Sequence, residues 1–112
     1  MDNSLKEIIE TMEDYLELVG DECGYNKKSI SKFSKISHRY IKRVQKCNNE
    51  NEFTKTSIDY IKKLNNLNKK CEYELIETDQ RELIVSLIFD IANVQNINIS
   101  IEEDFTLEYR EW

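Results

Sequence analysis

Residues 79–95 read DQRELIVSLIFDIANVQ, and this stretch decides the fold. Leu83, Ile84, Leu87, Ile88, Ile91 and Val94 or Gln95 recur at steps of three and four, the spacing that lines one face of an α-helix. Val85 and Phe89 widen that face, so this is the most apolar segment of the chain. Ahead of it, Asp79-Gln80-Arg81-Glu82 has the D-x-x-E form of a capping box, in which two side chains satisfy backbone donors of the first turn. A helix apolar over so much of its circumference has to be covered by other elements. It is therefore expected to be the central, most buried helix of a helical domain.

The segments before it supply amphipathic partners. Leu5, Ile8, Ile9, Met12, Tyr15, Leu16 and Val19 predict a first helix, capped by Asn3 or Ser4. Gly20 ends it, because glycine takes the left-handed C′ conformation without steric cost. Ile30, Phe33, Ile36 or Ser37, Tyr40, Ile41 and Val44 predict a second helix, capped by Asn26 or Ser29. Residues 47–51 are rich in asparagine and carry no apolar period, which reads as a loop. Asn51 then caps a third helix with Phe53, Ser57 or Ile58, Ile61, Leu64, and Leu67 or Asn68 on its stripe. Lys69 and Lys70 suit its C-terminus, the negative end of the helix dipole. Residues 72–77 are a connector, with Tyr73, Leu75 and Thr78 spaced for a short extended piece. In the tail, Ile97, Ile99 and Ile101 alternate like a strand, whereas Phe105, Tyr109 and Trp112 stand four and three apart. We expect an extended linker and then a short C-terminal helix from Glu103 or Asp104. The fold class is all-α: one domain over residues 1–112, four main helices plus that short one.

Composition points the same way. The 112 residues include no proline and only two glycines, Gly20 and Gly24. A β-sandwich or barrel consumes both residues in its turns, and dinucleotide or phosphate-binding loops need glycines that are absent here. No apolar run approaches the ~20 residues of a membrane span. The opening MDNSLKEIIE is acidic and amphipathic, unlike the basic start and apolar stretch of a secretory signal, so a cytoplasmic location is expected. Cys23, Cys47 and Cys71 are widely spaced and His38 is the single histidine, which gives no close-spaced ligand pair. Three reduced thiols, no metal and no cofactor are expected. Nothing brings His38 to a cysteine, and Glu13-Asp14, Asp21-Glu22 and Glu102-Glu103 lack the E-x-x-H pattern of a di-iron bundle. The chain does not read as an enzyme.

One word occurs twice. Ser37-His38-Arg39-Tyr40-Ile41-Lys42-Arg43-Val44 and Ser57-Ile58-Asp59-Tyr60-Ile61-Lys62-Lys63-Leu64 share S-x-x-Y-I-K-[KR]-apolar at an offset of twenty. The flanks do not match, as they would in a repeat of 20 or more residues.

The net charge of −6 hides strong segregation. Residues 1–24 carry −7, residues 25–47 carry +8 with no acid at all, residues 48–70 carry +2, and residues 71–112 carry −9. A basic second helix packed between acidic neighbours would select helix pairing through complementary fields. The basic segment 27–46, with Lys27, Lys28, Lys32, Lys35, Arg39, Lys42, Arg43 and Lys46, has the composition to follow a phosphate backbone. Against this stand the acidic flanks and a whole-chain pI near 4.9. The acidic regions fit a basic protein partner. Glu102, Glu103, Asp104 and Glu108 interleave with Tyr109 and Trp112, an arrangement of aromatic anchors in a polar rim. For Phe105 the better reading is an anchor that pins the C-terminus to the bundle.

E-T-D-Q-R-E-L-I at residues 77–84 and the closing E-Y-R-E-W at residues 108–112 resemble small acidic bacterial immunity proteins of toxin–immunity systems, including those of contact-dependent growth inhibition. The resemblance covers the last third of the chain. It implies a cytoplasmic protein that neutralises a basic, nuclease-like toxin domain by stoichiometric binding. The contact surface is then expected at the connector acids Glu72, Glu74 and Glu77, at Asp79 and Glu82, and at Glu102, Glu103, Asp104, Glu108, Tyr109 and Trp112. Arg81 and Arg110, the only bases after Lys70, would alternatively brace this region from within as partners for carboxylates. The runner-up is a small nucleic-acid-binding or regulatory protein using segment 27–46. A third reading is an adaptor that homodimerises through an apolar helix face.

Overall fold

The computed structural model describes residues 2–112. Four helices account for most of them: α1 (Asp2–Val19), α2 (Lys27–Val44), α3 (Glu50–Lys70) and α4 (Thr78–Val94). Short 3-10 turns follow at Gly20–Glu22, Ile101–Glu103 and Phe105–Glu108. No strand occurs among the described residues. The all-α class holds, and the short C-terminal helix is a 3-10 turn.

The starts of the helices lie near the expected residues, with corrections at three of them. Asn26 caps α2: its side chain accepts from the Lys28 and Ser29 backbone N–H groups at 3.0 and 3.2 Å. Asn3 and Ser4 cap nothing, because α1 already begins at Asp2. The cap of α3 is Asn49 rather than Asn51; its side-chain oxygen accepts from the Glu52 N–H at 2.9 Å. The D-x-x-E box at Asp79–Glu82 is not used either. The start of α4 lies two residues earlier, where the Gln80 side chain accepts from the Glu77 N–H at 3.0 Å. At α3 and α4 a polar residue two positions before the expected cap takes its place. Gly20 ends α1 at φ +68°, as its position required. The connector is a turn and not an extended piece, since Glu72 and Tyr73 both take left-handed backbone, at φ 57° and 62°.

Consecutive helices run antiparallel, so the α1–α2 and α3–α4 turns share one end. Glu74 ties them by accepting from the Gly24 N–H. At the other end Gln95 donates to the carbonyls of Val44 and Cys47 at 2.9 and 3.3 Å, fixing the end of α4 to the end of α2. α1 packs on α4 and α2, and α2 packs on α3. α4 thus lies beside α1 rather than at the centre. The C-terminal segment closes the remaining seam: Phe105 meets Phe53 of α3 at 6.4 Å and Phe89 of α4 at 5.9 Å between ring centroids.

The core carries the expected stripes, among them Leu5, Ile8, Met12, Phe33, Phe53, Ile61, Leu64, Ile84, Leu87, Ile88 and Ile91. It also holds polar residues: Ser37, Ser57 and Asn68 are the polar alternatives on the stripes, and Asn65 and Gln80 lie outside them. Ser37, Ser57, Asn65, Asn68 and Gln80 are buried and hydrogen-bonded, as buried polar groups have to be. The twice-occurring word explains two of them. Its copies face each other across the α2–α3 interface: Ser37 bonds the Tyr60 hydroxyl at 2.7 Å and Ser57 bonds the Tyr40 hydroxyl at 2.6 Å.

Candidate functional site

The surface divides by charge along the helices. Ion pairs among the described residues are Arg43–Asp59 at 2.6 Å, Lys63–Asp59 at 3.1 Å and Arg110–Asp104 at 3.0 Å. None joins α2 to α1 or α4. The basic helix is therefore not held to its acidic neighbours by contact pairs, and both sets of charges face outward.

The acids gather at the end of the bundle that holds the α1–α2 and α3–α4 turns. Glu17, Asp21 and Glu22 are exposed at the end of α1. Glu72, Glu77, Asp79 and Glu82 are exposed on the connector and the first turns of α4. Glu74 is half-buried with its carboxylate on the Gly24 N–H. The Tyr15 phenol is pushed up by desolvation first and then by Glu74, Cys23 and Glu77. The connector acids are on the surface where their sequence context puts them. The acids of α1 join them there although no motif marks those residues; the signal for them is the −7 of residues 1–24.

Local stability accounts for only part of this cluster. Glu77 and Asp79 suit the positive end of the α4 dipole. Glu17 stands in the last turn of α1, which carries no base, and Asp21 and Glu22 follow it in the 3-10 turn. That placement opposes the helix dipole. A local preference broken without an internal gain is expected at functional surfaces.

The tail acids do not join this end as one patch. Ser100 to Phe105 begins at the opposite end, so Glu102 and Glu103 are exposed there. From Phe105 the chain runs back along α3. Asn65 holds it by donating to the Tyr109 carbonyl at 2.8 Å and accepting from the Glu111 N–H at 3.1 Å. Glu108 is exposed on this return. Asp104 is engaged internally, accepting from the Thr106 N–H at 2.9 Å and pairing with Arg110. Arg110 also donates to Thr106 Oγ1 at 3.0 Å and lies over the Trp112 ring at 5.5 Å. Arg110 is thus an internal brace. Tyr109 and Trp112 are half-buried against the core, with Lys62 Nζ 5.9 Å from the Tyr109 centroid.

On α2, Lys28, Lys32, Lys35, Arg39 and Lys42 are all exposed, as is Lys46 in the turn just after it. Their steps of four and three place them on one line, opposite the buried Phe33, Ser37 and Val44. Where α2 meets α3, a cavity of about 70 Å³ is walled by Arg39, Arg43 and Lys63, with Asp59 and the edges of Tyr40 and Tyr60. Hydrogen bonds from Arg43 above all hold the Asp59 carboxyl below its usual range.

Other reactive groups stand apart. Cys23, Cys47 and Cys71 are free thiols, and burial pushes the Cys71 thiol up. The His38 ring bonds the Ser34 carbonyl of its own helix at 2.8 Å. No group of three or more His, Cys, Asp or Glu that could hold a metal occurs among the described residues. No described helix is long and apolar enough to cross a membrane. No family model, curated protein or solved structure matches the chain.

Proposed function

We propose that this chain is a non-catalytic, immunity-type inhibitor that neutralises a basic, nuclease-like toxin domain in the cytoplasm of the producing cell. One observation carries the reading: exposed acids from α1, the connector and α4 converge on one end of the bundle, and those of α1 oppose their own helix dipole. The exposed acids outnumber the lysines Lys27, Lys28, Lys69 and Lys70 that share this end, and such a negative excess speeds encounter with a basic cleft, up to ~10⁸–10⁹ M⁻¹s⁻¹. Such an end occupies a site built for phosphates without needing any reactive group of its own. The resemblance of residues 77–84 to immunity proteins falls on this same end.

The test is affinity capture of the tagged chain from its host's lysate at moderate salt, repeated with Glu17→Gln, Asp21→Asn, Glu22→Gln, Glu72→Gln and Glu77→Gln combined. The expected result is one stoichiometric basic protein, toxic when expressed alone, harmless beside the parent chain and lost to the variant. Glu102→Gln with Glu103→Gln, at the other end, leaves it bound. Recovery of this chain alone, or equal retention by the neutralised variant, overturns the proposal.

A further inference from the structure

We infer that the α2–α3 face is a second binding surface, which takes the phosphate backbone of nucleic acid and seats one phosphate in the Arg39–Arg43–Lys63 cavity. This goes beyond the inhibitor reading and does not rest on it. The acidic flanks and low pI of the sequence weigh against such a surface, and at the first turn of α2 the two signs meet, where Lys27 lines one groove with Glu17 and Asp21; beyond that turn the cations of α2 stand clear of the acids of α1 and α4. The cationic line of α2 points away from the core, and no contact pair ties it to an acid of α1 or α4 among the described residues.

Three features favour phosphate. The line from Lys28 to Lys42 holds five cations over roughly 21 Å at a rise of ~1.5 Å per residue, with Lys46 in the turn just beyond it, a track rather than a point. α2 opens with Lys27 and Lys28 and has no acid in its first turn, so cations stand at the positive end of the dipole where local stability disfavours them. Midway along, the line broadens into the cavity that Arg39, Arg43 and Lys63 line. The single acid there, Asp59, is shared by Arg43 and Lys63, which leaves Arg39 without an ion-pair partner among the described residues. A planar guanidinium so placed matches phosphate oxygens. No exposed aromatic platform or recognition turn accompanies the track, so the surface reads backbone charge and not sequence.

The probe is fluorescence anisotropy of a labelled single strand of about 16 nucleotides, alone and in duplex, from about 50 to 200 mM salt. Binding in the ~10⁻⁴–10⁻⁶ M range that weakens steeply with salt is expected. Lys35→Gln, Arg39→Gln and Lys42→Gln together weaken it at least about tenfold and lower the single-strand salt slope by about 2, at ~0.7 for each phosphate no longer neutralised. Lys63→Gln alone weakens it measurably, whereas Lys6→Gln on α1 changes nothing. Absence of binding at the lowest salt overturns the inference, as does a triple variant that binds like the parent. Displacement of the strand by polyglutamate at equal charge concentration also overturns it and assigns the face to an acidic protein.

Discussion

The rings of Tyr40 and Tyr60 stack with centroids 4.1 Å apart and planes 3° from parallel. Each phenol ends on the serine of the other's helix, Tyr60 on Ser37 and Tyr40 on Ser57. All four residues are buried, so the two bonds are made where water cannot replace them. Tyr60→Phe strands the Ser37 hydroxyl and is expected to destabilise by about 1–3 kcal/mol. Adding Ser37→Ala removes the stranded group, so the double variant costs less than the sum of the singles. Urea midpoints of the four-member cycle measure this, and strict additivity would show that the bond contributes nothing.

Burial raises the Tyr25, Tyr40 and Tyr60 phenols well above their ordinary value near 10. The folded state thus keeps protons that the unfolded chain releases. This stabilisation is fully present below about pH 10 and is lost as pH climbs toward the folded values. The urea midpoint is expected to fall above pH 10, less steeply in Tyr40→Phe/Tyr60→Phe. If all six tyrosines form phenolate together near pH 10 in the folded protein, the burial argument fails.

The helices are legible in the sequence because each carries an apolar stripe at helical spacing, and the Asn26 cap and Gly20 stop are legible because each residue has one local use. The caps at Asn49 and Glu77 are less so. In N-N-E-N and E-T-D-Q several adjacent residues are chemically fit to cap, and packing decides among them. Asn68 is legible as a stripe position, whereas Asn65 is invisible as core because its partners, Tyr109 and Glu111, come from a segment that has no period of its own. The same limit applies to the site. Connector and tail acids look alike in sequence, yet the return of the tail along α3 sends Glu102 and Glu103 to the far end and turns Asp104 inward.

Gly24 and Gly20 sit in one turn for different reasons, and alanine separates them. A Cβ at Gly24 would lie 2.7 Å from the Cys71 carbonyl oxygen, which is backbone and cannot step aside. At Gly20 nothing lies within 4 Å, and only φ +68° resists. Gly20→Ala is expected to cost about 1 kcal/mol. Gly24→Ala is expected to cost about 1–3 kcal/mol, as overpacking does, and also to separate the two turns that Glu74 joins. Thermal unfolding ranks the pair, and equal midpoints would sink the distinction.

Phe105 touches both α3 and α4, through Phe53 and Phe89. Its ring is half-buried, so Phe105→Ala is expected to cost roughly 2–3 kcal/mol, below the ~3–5 of a fully buried phenylalanine. The larger effect is local. With the ring gone, the return along α3 keeps Asn65, the buried Thr106 and the half-buried Tyr109 and Trp112 but loses its link to Phe89, and the seam between α3 and α4 opens in smaller excursions than global unfolding. Native-state hydrogen exchange is then expected to quicken at Thr106, Tyr109 and Arg110, whose amides bond within the tail, while the α1–α2 amides change only with global stability. Acceleration spread evenly over all four helices would mean that the tail unfolds only with the bundle and that Phe105 closes no separate seam.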